Sequence, residues 1–189
     1  AHTARTMMLH ELELLFTAVP EETATKKDYF DAIVQNNCLG KRSMVNRHLT
    51  FRHMATLYSL DGNSPLFQAL RYLCHRDATA HPLLAALCSY ARDSLFRLTF
   101  PFLLSLHEEQ AYSRSELEHF IEEQQPGRFS KISLESLAQH LASSWTQAGY
   151  LQGCINKHRS RATASPGSVA YALFLGYLWY LMDCSAPAD

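Results

Sequence analysis

Glycine and proline are scarce, seven of each in 189 residues, and charged side chains make up only 19% of the chain. With apolar residues at 47%, this excludes collagen-like, linker-like and largely disordered chains and predicts a folded core over most of the length. No Cys-x-x-Cys occurs. The five cysteines, Cys38, Cys74, Cys88, Cys154 and Cys184, are odd in number and irregularly spaced. Such usage fits reduced thiols acting as small buried hydrophobes better than a disulfide framework. A GxxxxGK[ST] phosphate loop, a GxGxxG after a strand and a GxSxG elbow are all missing. The ten histidines do not fill the gap. His48 and His53 share no helical face, and Cys154 with His158 is a single ligand pair where a structural zinc needs two. The expectation is a protein with no catalytic, cofactor or metal site and no small-molecule substrate.

Long hydrophobic runs are also lacking. The most apolar stretch, residues 169–182, falls short of the ~20 residues that cross a ~30 Å hydrocarbon layer. It reads instead as a buried helix with Val169, Leu173, Leu175, Leu178 and Leu181 in the core. The opening AHTARTMM carries no apolar signal region. A cytoplasmic chain without a membrane partner is therefore expected.

What the sequence does contain is the 3.6-residue period, in almost every segment, so a mainly α, multi-helix bundle is predicted. Three stretches are expected: an N-terminal helix-turn-helix-like unit (1–60), a central helical core (61–110), and a C-terminal winged-helix-like unit with a terminal core helix (111–189). In the first, a helix carries Leu9, Leu12, Leu15 and Phe16, and a second carries Tyr29, Phe30, Ile33 and Val34. NNCLG then turns the chain and Ser43 caps a third helix, with Val45, Leu49 and Leu57 inward. Pro82 starts a central helix and Pro101 is expected to kink or restart the next. Ser113 with Glu116 forms a capping box. Ser133 caps a helix carrying Leu134, Leu137 and Leu141, residues 150–155 form the one predicted strand, and Trp145 reads as a core or interface anchor.

Net charge is −1, yet the charges are segregated. No acid lies between Asp31 and Asp61, a span that holds Lys41, Arg42, Arg47, Arg52, His48 and His53. A basic, Ser43-capped helix after a helix and a glycine turn fits the helix-turn-helix plan, in which the second helix enters a groove of duplex DNA. It fits equally a solvated face of an ordinary bundle. Lys157, Arg159 and Arg161, with Arg128 and Lys131 nearby, fit a basic wing beside a helix exposing Ser136, Gln139, His140 and Ser143, or an ordinary basic loop. The acidic Glu116, Glu118, Glu122 and Glu123 repel phosphate and should face away from nucleic acid or toward a protein partner.

The strings TARTMML, NNCLGKRS, LYSLD, ARDSLFRLT, SSWTQAGYLQG and AYALFLGYL span nearly the whole chain, and on them the sequence resembles the BrxA family, the small helical component of BREX phage-exclusion systems of bacteria. The resemblance implies an all-helical protein with helix-turn-helix and winged-helix-like elements. It also implies duplex DNA bound with little sequence preference, and action beside other BREX proteins: a methyltransferase, a phosphatase-like protein and an ATPase. A likeness of this family to NusB-type antiterminators brings RNA in as an alternative ligand, and a protein-interaction scaffold is the non-nucleic-acid alternative. Carried onto this chain, the implied contacts are Lys41, Arg42, Ser43, Arg47 and Arg52 in the first element and Lys157, Arg159 and Arg161 in the second.

Overall fold

A computed structural model describes residues 2–184. The described chain is mainly helical. Helix α1 (Leu9–Ala18) is followed by α2 (Lys26–Phe30), which runs on as a π-helical turn (Asp31–Gln35). Helices α3 (Met44–Tyr58), α4 (Pro65–Arg76), α5 (His81–Arg92), α6 (Ser94–Ser105), α7 (Arg114–Gln124) and α8 (Lys131–Gln147) come next. Two short strands, β1 (Leu151–Gln152) and β2 (His158–Arg159), precede α9 (Pro166–Cys184).

Local chemistry accounts for most of these boundaries. Thr25 and Asp28 form a reciprocal capping box at α2, and Ser43, Ser113 and Ser130 each accept a backbone N–H at the start of α3, α7 and α8. Asn37 and Gly40 are both left-handed in the NNCLG turn, the conformation those residues accept at least cost. Helix α8 starts earlier than its sequence suggested because Ser130, not Ser133, is the cap. Pro101 neither ends nor restarts a helix: α6 runs through it.

Helix α5 is the hub, packing against α1, α3, α4, α6, α8 and α9. Its buried positions are mostly small, Ala85, Ala86, Cys88 and Ser89 beside Leu84, and short side chains let several helices approach one axis. Phe67, Phe96, Met54, Leu57, Leu137, Leu141 and Trp145 fill the space around it. Cys74 and Cys88 are buried as expected, Cys38 is half-buried, and Cys154 is exposed instead. The Cys184 side chain lies outside the described residues.

Two expected core assignments are overturned. Val45 is 68% exposed, because α3 is rolled to put Thr50, Met54, Leu57 and Tyr58 inside. Helix α9 is not a core helix: Tyr171 and Leu175 face α4 and α5, whereas Val169, Leu173 and Leu181 are exposed and Leu178 is half-buried. Among the described residues only one side of α9 is covered. No described helix is long and apolar enough to cross a membrane.

The start of α9 is held by Asp77, whose Oδ2 accepts the Gly167 N–H at 2.9 Å. A Cβ on Gly167 would meet that carboxylate at 2.9 Å, so the approach needs glycine. Hydrogen bonds from Thr79, Gly167 and Ser165 lower the Asp77 carboxyl to about 2. A carboxyl depressed on folding stabilises the fold above its ordinary value of 3.8 and loses that contribution as pH falls through its folded value. We expect amide exchange at the start of α9 to accelerate between pH 4 and 2, ahead of α5, and Asp77→Asn to flatten this dependence.

Candidate nucleic-acid interface

In the first basic segment the structure separates cations that are occupied from cations that are available. Lys41 pairs with Glu11 at 3.0 Å, and Ser43 spends its hydroxyl on the Asn46 N–H. Arg47 is turned inward. Its Nη1 donates to the Val34 carbonyl at 3.2 Å and its Nε to the Lys41 carbonyl at 3.4 Å. Val34 lies in the π-helical turn, and the wider turn leaves carbonyls at its end to be satisfied from outside. Arg42 and Arg52 are exposed. Neither pairs with a carboxylate among the described residues. Arg52 lines a shallow groove of about 550 Å³ with His48 and Lys26. Lys26 sits on α2 and had no linear signal, because folding alone brings it beside α3.

The second segment shows the same division. Lys157 Nζ donates to Thr146 Oγ1 at 2.9 Å and to the Gly153 carbonyl at 3.0 Å, closing the hairpin on itself. Arg159 donates to the Leu103 and Tyr150 carbonyls, both at 3.2 Å, and to Ser160 O. Its guanidinium lies 5.3 Å from the centre of the Tyr150 ring. These bonds tie the hairpin to the end of α6. Arg161, Arg128 and Lys131 are exposed.

The hairpin pairs Leu151 with Arg159 and Gln152 with His158, antiparallel. On its other edge His158 bridges Ala111, again antiparallel, and Tyr112 N donates to the Lys157 carbonyl at 2.8 Å. The chain before α7 is thus a third strand-like partner, with β2 in the middle. Between α7, α8 and the hairpin lies a groove of about 640 Å³, lined by Gln139 and Ser143 of α8, Cys154, Ile155 and Lys157 of the hairpin, and Arg114 and Glu118 of α7. Arg114 and Glu118 neutralise each other at 3.1 Å. Gln139 is exposed and Ser136 and Ser143 are half-exposed. His140 is withdrawn from this face, its Nδ1 3.0 Å from the His2 carbonyl.

One constellation had no precursor in the sequence pattern. His2 Nδ1 lies 3.1 Å from Asp93 Oδ2, and His2 Nε2 lies 3.0 Å from Ser144 Oγ. Order and distances are those of an Asp-His-Ser relay. The surroundings are not: His2 and Ser144 are 0% exposed, so no substrate reaches the hydroxyl. Ser144 Oγ already accepts the Met7 N–H at 2.9 Å, and its single proton has both His2 Nε2 and the His140 carbonyl at 2.8 Å as acceptors. Burial lowers the His2 pKa more than Asp93 raises it. Hydrogen bonding to His2 holds Asp93 ionised against the cost of burial, its pKa well below the ordinary range. Asp93 Oδ1 also caps α6, accepting the Leu95 and Phe96 N–H groups at 3.0 and 3.1 Å. The relay is a fastening. No group of three or more ligating side chains suited to a metal occurs among the described residues.

Compared with protein-family models the chain gives no match, and none of the curated proteins matches it either.

Three substitutions separate holding from gripping. Arg47→Ala removes a charged donor from two carbonyls and should cost about 1–2 kcal/mol in urea unfolding. Arg52→Ala, at an exposed position, should stay within ~0.5 kcal/mol. Asp93→Ala strips a helix cap and leaves a buried histidine without its carboxylate, and should cost about 3 kcal/mol.

Proposed function

We propose that the protein is a non-enzymatic, DNA-binding accessory component of a BREX-type bacterial phage-defence system, holding duplex DNA through its charge rather than by reading sequence. The observation that carries the DNA-binding part is the order α7, α8, β1, β2 with the pre-α7 segment paired to the far edge of β2. A helix pair followed by a hairpin, its return strand central, is how a winged helix is built. In such a unit the second helix of the pair enters a groove while the wing lies along phosphates. On this reading α8 offers Gln139, Ser136 and Ser143, and the hairpin side offers Arg161.

The helix-turn-helix reading of the first element is supported by α3, capped by Ser43, with His48 and Arg52 on its exposed side, Arg42 exposed just ahead of the cap and Lys26 across the groove. The contacts this reading uses are fewer than the resemblance implies. Arg42, Arg52 and Arg161 are left to meet phosphates, whereas Lys41, Arg47, Lys157 and Arg159 are engaged within the protein. Placement in phage defence rests on the sequence strings alone. A protein-partner surface is favoured on the opposite sign of charge: Glu108, Glu109, Glu116 and Glu123 are exposed around the start and outer face of α7, a patch suited to other defence components and unsuited to DNA.

Fluorescence anisotropy with labelled duplex DNA, duplex RNA and single-stranded RNA at ~50 and ~200 mM salt tests the proposal. We expect duplex DNA to bind with little sequence dependence. Arg42→Ala, Arg52→Ala and Arg161→Ala combined should reduce the log–log salt slope by roughly three units without altering circular dichroism. Tighter binding to RNA would transfer the reading to an antiterminator-like protein. No binding at the lower salt would leave the scaffold.

A further inference from the structure

Helix α9 leaves an apolar side uncovered among the described residues. Tyr171 and Leu175 are buried against the protein, while Val169, Leu173, Tyr177 and Tyr180 are 49%, 71%, 59% and 64% exposed. Ala172 and Gly176 are exposed between them, and a Cβ on Gly176 would meet nothing within 4 Å. The positions 169, 172, 173, 176, 177 and 180 recur at the three- and four-residue spacing of a single helical stripe. No Asp, Glu, Lys, Arg or His occurs in residues 166–182.

The stripe has an internal symmetry that selects its occupant. Reversed about its midpoint, between Leu173 and Gly176, it sets Val169 against Tyr180, Ala172 against Tyr177, and Leu173 against Gly176. In every pair a smaller side chain meets a larger one. We propose that this face docks the same face of a second copy of the chain, antiparallel about a two-fold axis, with Leu173 of each copy seated over Gly176 of the other. A two-fold contact needs a patch complementary to itself, and glycine beneath a leucine lets two helices approach closely. The absence of charge removes the repulsion that self-association would otherwise carry. The same absence argues against a lipid surface, since helices lying on membranes carry Lys and Arg along their polar side.

The stripe is about 16 Å long at 1.5 Å rise per residue, and Trp179 of the same helix, 42% exposed, widens it on one side. A single helical stripe of this length buries less than the ~800 Å² per partner of a standard stable complex, so a weak, concentration-dependent dimer is expected.

Sedimentation equilibrium of the whole chain from roughly 5 to 300 µM, the window in which micromolar association is visible, tests the proposal. The parent should pass from monomer to dimer. Leu173→Glu and Gly176→Lys, both at exposed positions, should each remain monomeric with unchanged circular dichroism. Their equimolar mixture should regain dimer, because the carboxylate introduced on one chain would then face the ammonium introduced on the other. Val45→Glu, exposed on α3, should dimerise like the parent. If either α9 variant proves misfolded, Tyr177→Lys replaces it and should likewise remain monomeric. A parent that stays monomeric, a dimer that Leu173→Glu leaves intact, or a mixture that fails to associate would overturn the two-fold pairing. So would a monomer that co-sediments with phosphatidylcholine vesicles through Leu173, which would assign the face to lipid.

Discussion

The short arm ahead of α1 is the constraint on which the rest of the packing depends. His2 joins Asp93, at the junction of α5 and α6, to Ser144, near the end of α8. A few residues on, the Met7 carbonyl accepts the Tyr58 hydroxyl from the end of α3, and the Leu9 N–H is received by Gln147 Oε1 at 3.1 Å. Helices far apart in the chain are thus fastened to one short segment of backbone at the start of the described chain. The fastening is polar and buried, which makes it exacting. Each group in it is satisfied only while all the others are in place, and a buried partner left alone costs more than a lost hydrogen bond at the surface. Specific registry among α3, α6 and α8 is what such a network supplies beyond hydrophobic burial.

Arginine chemistry follows a second rule in this molecule. Arg47, Arg92, Arg97 and Arg159 donate to main-chain carbonyls of Val34, Thr56, Tyr90 and Leu103. Those acceptors lie at or near helix ends, where carbonyls lack intrahelical donors and the partial charge is negative. A guanidinium with five N–H groups can satisfy such an end and the neighbouring loop together. The consequence for function is subtractive. Counting basic residues along the sequence overstates the number of side chains free to reorient toward a ligand, because those bonded to carbonyls keep their charge but are held in place.

The same rule explains where the sequence was legible. Caps and turns are decided within four or five residues, and Ser43, Ser113, Asn37 and Gly40 were correctly placed from local pattern. The roll of a helix about its axis is decided by neighbours distant in sequence. Val45 was assigned inward because its spacing from Leu49 is right, but Thr50, buried at 3%, sets the face that actually turns in. Helix α9 failed for a related reason: apolar on every side, it offered no amphipathic signal to say which side would be covered. The division of Arg47 from Arg52, five residues apart on one helix, was likewise invisible, since it depends on a π-helical turn whose free carbonyl only the fold brings near. His2 gave no signal at all, its role being created entirely by two residues that arrive late in the chain.

If the protein binds nucleic acid as proposed, these constraints limit how it would hold an extended polyanion. Helix α3, which carries Arg52, and helix α8, which packs against the hairpin, are tied through the same arm, α3 by Tyr58 to Met7 and α8 by Ser144 to His2 and Met7. The two basic surfaces are therefore held at a set separation rather than joined by a linker, and a ligand that spans both gains an effective concentration without a further ordering cost. Side chains that meet phosphates carry no base information. Under the proposed function, affinity would gain from simultaneous engagement of both surfaces, and selectivity would depend on whether the spacing of phosphates along the ligand matches their separation. On that reading a flexible single strand would first have to be ordered to span both surfaces, a cost that a stiff duplex does not carry.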